Sequence, residues 1–326
     1  IAFGVWDHIK NRGDHGADNW VLEWVGFLPG KRESRRYEGD VIMTQNDVRT
    51  EGKFEDLIAY GGWTMDDHHP GGMNWPGKPT IFHPAPSPFG IPYRTLYSRN
   101  VANLFCAGRN ISVTHAALSA TRVMATCAVL GQAAGTAAAV ATREGITPRG
   151  VYESHVEELQ QILMDDDCYL PWRARKVPEL ARRAQLTAEA GDPEPLRNGL
   201  DRPIKDEDNG WCGPLGSWVE YRFETPQHVR RLRFTFDSDL NRPEKNQPHA
   251  YPLDTALVSV PEPMVRAFRV EALDGEGAWQ VIVKEDNNYQ RLVHLDVDVE
   301  TEAVRFIPEA TWGASDAHVF AWDLNG

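Results

Sequence analysis

The sequence predicts a mixed α/β region over residues 1–165, a connector over 166–208 and an all-β sandwich of jelly-roll type over 209–326. Three observations carry this. Residues 103–108 are a largely apolar run ending in Ala107 and Gly108. A polar loop and a long Ala- and Gly-dense stretch over 116–143 follow, the order of a strand, a tight turn and a helix. From Gly210 onward, segments at 218–223, 229–236, 267–273, 279–283, 291–297 and 303–308 alternate apolar and polar residues, as half-buried antiparallel strands do. Between the two, residues 171–208 are rich in Pro and charge.

Taken in order, residues 20–28 alternate loosely and read as a strand, with a turn at Pro29 and Gly30. Residues 36–44 read as a second strand. Thr44 then caps a helix start. The stretch 61–92 is loop-like, with paired glycines at 61–62 and 71–72 and prolines at 70, 76, 79, 84, 86, 88 and 92. Long ordered loops of this kind are more often functional than accidental. After the 116–143 helix, Val151, Val156, Leu159, Ile162 and Leu163 keep helical spacing and predict a helix over 151–164.

Length and composition narrow the function. The chain has 326 residues, room for about two domains. A net charge of −13 argues against a nucleic-acid surface, and the Arg32/Arg35/Arg36 and Arg230/Arg231/Arg233 clusters are too small to reverse it. The Ala-rich 125–141 stretch comes nearest to a membrane span, but its Thr126, Gln132, Thr136 and two glycines mark a buried helix. Cys106, Cys127, Cys168 and Cys212 lie far apart, without the spacing of a disulfide framework or a zinc site. The chain begins Ile1-Ala-Phe-Gly and shows no signal peptide. Because it reads as starting mid-sequence, that is silent about compartment.

Several residues carry candidate chemistry. Gly108 lets the backbone turn at a strand end, where α/β sheets place ligands. The helix after Ala116 would aim unpaired N–H groups and a positive dipole end at an electron-rich acceptor. Gly131 and Gly135, four apart, would permit close packing against another element. Arg32, Arg35 and Arg36 read either as a clamp for an anion or as a surface ion-pair cluster with Glu33 and Glu38. The densest ionisable patch, Asp66-Asp67-His68-His69, reads three ways. It is a solvated loop, a His68 paired with a carboxylate for acid/base or substrate contact, or, least favoured, a metal site.

The segments 103–112 and 121–135, with the motifs at 29–36, 59–63, 68–72 and 92–100, resemble the C-terminal signature of the bacterial FAD-dependent oxidoreductase family. That family is distantly similar to the fumarate reductase and succinate dehydrogenase flavoproteins. The resemblance covers about residues 1–165. It implies FAD as cofactor, with Gly108, Arg109 and Asn110 along its ribityl–pyrophosphate part and Thr121, Arg122, Val123 and Met124 at the flavin pyrimidine edge. It implies hydride removal from a small polar substrate, a sugar or hydroxy acid, with His115 or His68 as base and Arg94 and Arg36 as orienting groups. It favours an inward-facing Arg36. His115 reads equally as a helix-capping or ribityl contact.

The chain departs from the family in one respect: it contains no G-x-G-x-x-G, the turn that cradles the dinucleotide pyrophosphate. The α/β region therefore reads as an incomplete, Rossmann-like FAD-binding domain. The phosphate loop would come from an upstream segment or a partner chain.

Residues 213–223 and 304–308 resemble, weakly, the galactose-binding-like jelly rolls. Trp211, Tyr251, Tyr289 and Trp312 are the aromatics placed to stack on sugar rings, although core packing is the commoner fate of any one of them. The rival to the oxidoreductase reading is thus a carbohydrate-binding or structural module on a catalytically inert, flavoprotein-like scaffold.

Overall fold

The computed structural model describes residues 1–27, 35–240 and 260–326. They divide into two units, 1–36 and 37–326. In the first, helix α1 (Ala2–Asn11) buries none of its residues. Lys10 Nζ holds the following loop by donating to the carbonyl oxygens of Ala17, Asp18 and Trp20 at 3.0, 2.8 and 2.9 Å. The strand expected over 20–28 does not form within its described part: residues 20–27 carry no ladder and are mostly exposed.

The second unit begins with helix α2 (Gln45–Arg49). Thr44 caps it through a capping box with Asp47, as its sequence position implies. Strand β1 (Leu57–Gly61) pairs antiparallel with β4 (Phe89–Pro92), and β2 (Met65–His68) with β3 (Thr80–His83). The proline-rich 61–92 stretch is thus not one loop. Its prolines fall between these short strands or at their ends.

The strand expected over 36–44 reduces to a single bridge, Met43 to Val113. That expected over 101–108 reduces to one between Tyr97 and Phe105. In the latter, the backbone bonds go to the preceding turn, with Ser98 N donating to Leu104 O and Cys106 N to Leu96 O. A ladder needs a second strand, and none lies there among the described residues.

The long Ala-rich helix is also two. Helix α3 (His115–Thr121) ends at Arg122, Val123 is extended (φ −69°, ψ 148°), and α4 (Met124–Glu144) starts afresh. Helix α4 stops at Gly145 in the left-handed conformation, whose N–H bonds back to Thr142 O while Ile146 N reaches Ala141 O. Thr147 caps the next helix, α5 (Pro148–Asp165), with Pro148 in its first turn. Among the described residues α4 is the one helix long and apolar enough to cross a membrane. Its Leu130, Ala133, Ala137 and Val140 are instead buried in the core shared with β1, β4 and α5. At Gly131 and Gly135 an added Cβ would meet nothing within 4 Å, so the close packing expected there is not made by the described residues.

The connector does more than connect. After helix α6 (Glu179–Arg183), its residues form strand β5 (Gln185–Ala188), which joins β7 (Val219–Phe236) in the main sheet. That sheet is the expected all-β part, curled and antiparallel throughout. It also contains β6 (Trp211–Pro214), β8 (Val265–Leu273), β9 (Trp279–Glu285), β10 (Leu292–Thr311) and β11 (Asp316–Asn325), in the order β6-β11-β7-β10-β8-β9.

Six alternating segments become four strands. Residues 218–223 and 229–236 fuse into β7, and 291–297 and 303–308 into β10. Glu302 alone faces residues 223–226, so a bulge absorbs the Thr225-Pro226 interruption without ending the strand. The core is aromatic. Phe234 lies 5.0–5.8 Å, centroid to centroid, from Phe306, Phe236, Phe268 and Trp322.

A buried ion cluster joins this sheet to the helices. Arg175 and Arg233 both reach Asp201 (3.1 and 2.9 Å) and Asp323 (2.8 and 3.4 Å), and Arg233 Nε donates to Asp165 O at the end of α5. All four side chains are under a tenth exposed. Burial pushes the Asp201 carboxyl up, but the two guanidinium groups outweigh it and hold Asp201 below the ordinary carboxylate range. At Asp323 burial prevails and the value is raised.

His318 on β11 lies 2.8 Å from Asp237 and 3.0 Å from Asp208. Burial lowers its pKa, but the two carboxylates outweigh that, and His318 holds its proton above its ordinary value. A raised His pKa contributes stability that is whole below the unfolded value of about 6.5 and is lost as pH rises through the folded one. Thermal unfolding is therefore expected to shift to lower temperature as pH rises above about 6.5. His318→Gln is expected to flatten that slope, and an unchanged slope would assign it to another group.

Candidate functional site

The polar residues of β2 meet the start of α3. Thr114 caps α3, accepting from Ala117 N, and sets His115 at its first position. His115 Nε2 lies 2.9 Å from Asp67 Oδ1. At the other end of α3, Arg122 Nη2 donates to the backbone carbonyl of Asp66 at 3.0 Å, with the Asp66 carboxylate 3.8 Å away. His68 follows on the same strand, its Nδ1 3.1 Å from Thr80 Oγ1 and its Nε2 3.9 Å from Asp66 Oδ1. Two histidines, two carboxylates and a largely buried arginine thus surround one short helix. One of the three readings of the 66–69 patch pairs His68 with a carboxylate of the patch itself. The structure gives the hydrogen bond to His115, whose partner Asp67 lies 48 residues upstream.

Beside this cluster α4 begins without a side-chain cap, and Met124 at its first position is 89% exposed. The first N–H groups of a helix have no partner within it. The Ala107–Asn110 turn lies against this end. Gly108 takes φ +67° and approaches Cys127 in the first turn of α4, while Arg109 and Asn110 are exposed. Two buried oxygens of these elements, Thr121 Oγ1 and Asp66 Oδ1, have no hydrogen-bond partner among the described residues.

The sequence model of the FAD dependent oxidoreductase family matches residues 1–163, half of the chain. The chain belongs to this family. No curated protein matches it. Solved structures similar to it include the family 32 carbohydrate-binding module of Streptococcus pneumoniae EndoD (14% identity, 46% of this chain, 97% of that one, TM-score 0.34). Another is the family 32 module of C. perfringens NanJ in complex with galactose (9% identity, 45% and 97%, TM-score 0.30).

As a member of the FAD-dependent oxidoreductases, the protein is expected to hold a flavin, and the residues about α4 fit one. An uncapped helix end beside a left-handed glycine suits a flat, electron-rich edge that has to approach backbone closely. Gly108, Arg109, Asn110, Thr121, Arg122, Val123 and Met124 all belong to this turn and helix junction.

Arg94 does not join the cluster. Arg94 grips the fully buried Asp56 bidentately, Nε and Nη2 each at 2.9 Å, and stacks over Tyr152 at 4.6 Å. Donating hydrogen bonds to the Asp56 carboxylate raises its pKa. Arg36 closes the first unit and is exposed, not inward-facing, and Arg32 lies outside the described residues. Among the described residues, the group with metal-ligand spacing is His8, Asp14 and His15 in the first unit, all exposed, and not the 66–69 patch. Of the aromatics proposed for sugar stacking, Trp211 is wholly buried, Tyr289 and Trp312 remain accessible, and Tyr251 lies outside the described residues.

The carboxylate partner was the missed signal. Adjacent Asp66 and Asp67 alternate along β2, which sends one towards Arg122 and the other to His115. Arg94 as a structural anchor yields a direct expectation. Arg94→Ala strands the Asp56 carboxylate in the core and costs about 3 kcal/mol in denaturant unfolding. A loss below about 1 kcal/mol would put its function elsewhere.

Proposed function

We infer that the protein is an oxidoreductase that takes a hydride from a small polar substrate of sugar or hydroxy-acid type. Residues 103–139 form the flavin-ring end of its FAD site. The observation that carries this reading is the uncapped start of α4 set between the Gly108 turn and the His115–Asp67 pair. When bound, FAD supplies the hydride acceptor. The first N–H groups of α4, with about half a positive charge at the helix end, would hold the pyrimidine edge and would favour its electron-rich state. Gly108, Arg109 and Asn110 would hold its ribityl side, with the Thr121 hydroxyl, which has no partner among the described residues, nearby.

Asp67 accepts the His115 Nε2 proton and so fixes the tautomer in which Nδ1 carries the lone pair. His115 then takes the substrate hydroxyl proton at Nδ1. Arg122 holds β2 in register with α3, which keeps Asp67 aligned on His115. His68, braced by Thr80, is the second group able to exchange a proton with substrate. The pyrophosphate grip is not among these residues, and we assign it to polypeptide outside the sequence described. We read the curled sheet as a brace for the helices, since the Arg175/Arg233 cluster ties the two together.

The protein isolated from its native source is expected to carry flavin absorbance that bleaches anaerobically with one member of a sugar and hydroxy-acid panel. His115→Gln should keep the flavin and slow bleaching by about a hundredfold or more. Absence of flavin, or wild-type bleaching by His115→Gln, would overturn the reading.

A further inference from the structure

A second site lies away from the flavin residues. A cleft of about 1010 Å³ opens between β1, the residues just before β4 and the connector, lined in part by Tyr60, Tyr169, Trp172, Arg173, Arg202 and Lys205. Its most unusual member is Trp172. Leu170 O accepts from Arg173 N at 3.2 Å, closing a turn with Pro171 and Trp172 at its centre. Trp172 takes φ +62°, the left-handed backbone that a turn of this kind normally gives to Gly or Asn. A bulky ring is strained there, and this one is not bought by core packing: Trp172 remains 46% exposed. Lys53 Nζ sits 5.2 Å from the ring centroid, supporting one side of the indole at the lip of the cleft.

The rest of the lining is chemically specific. Tyr60 and Tyr169 meet edge to face at 5.1 Å, and Arg202 stacks on Tyr169 at 4.8 Å. Arg202 is neutralised by Asp167 at 2.8 Å, and Arg173 is engaged with the Glu55 carbonyl. Lys205, also at positive φ, is followed by Asp206 and Glu207 on the same rim. Flat aromatic faces edged by forked donors and carboxylates, with no surplus of positive charge, suit a ligand with apolar C–H faces and a rim of hydroxyls. They do not suit a phosphate.

We propose that this cleft binds a neutral saccharide, with Trp172 as the stacking platform. The site is independent of the flavin reading, and its test needs no flavin.

Trp172→Gly separates binding from folding, because Gly relaxes the left-handed turn while removing the ring. The probes are neutral gluco-, galacto- and xylo-tetrasaccharides, titrated into the full-length protein by isothermal calorimetry. At least one is expected to bind wild type. Trp172→Gly should weaken it at least tenfold with a melting temperature no lower than wild type, and Trp172→Phe should retain most of the affinity. No binding of any of the three to wild type, or undiminished binding to Trp172→Gly, overturns the proposal. Tighter binding of an acidic than a neutral tetrasaccharide would overturn its charge assignment.

Discussion

At Arg122 a run of residues that favours uninterrupted helix stops, turns and starts again. The side chain leaves the helix path and donates to the Asp66 carbonyl on β2. Val123 then extends, and α4 opens with unpaired N–H groups. Had the helix continued from His115 to Glu144, those N–H groups would be spent inside it and the Gly108 turn would face a closed helix wall. The same contact fixes β2 against α3, which puts Asp67 on His115. Arg122 thus stands at the helix end and ties it to the strand that carries Asp67.

That arrangement sits on a frame held from behind. The guanidinium groups of Arg175 and Arg233 share the buried carboxylates of Asp201 and Asp323. Arg291 adds a second tie, pairing with Asp167 just beyond α5. Buried ion pairs gain little over apolar packing but are costly to break singly, so their value lies in allowing one relative placement of helices and sheet. The Trp172 cleft lies along this junction, which gives its strained turn a rigid surrounding.

Much of this was legible in the sequence, and the failures share a cause. The Thr44 cap, the helix expected over 151–164 and the alternating segments are local patterns; the cap forms, the helix runs from Pro148 to Asp165, and the six segments lie within four strands. The break at Arg122 is not local, because its partner lies 56 residues away on a strand that reads as proline-rich loop. The 103–108 run is apolar enough for a strand, but among the described residues it makes only the Phe105 bridge to Tyr97. Arg94 stood in a position suited to substrate contact, yet Asp56, buried 38 residues upstream, claims its whole fork. Chemistry-bearing residue types were identifiable from the chain; their partners, which decide what each does, were not.

Hydrogen–deuterium exchange of the native protein, with and without added FAD, tests the central claim most directly, because it reads the helix end itself. Binding at the start of α4 predicts slowed exchange in the peptides covering residues 107–110 and 124–127, with the later turns of α4 unchanged. FAD that binds without altering exchange in those two segments would contradict it.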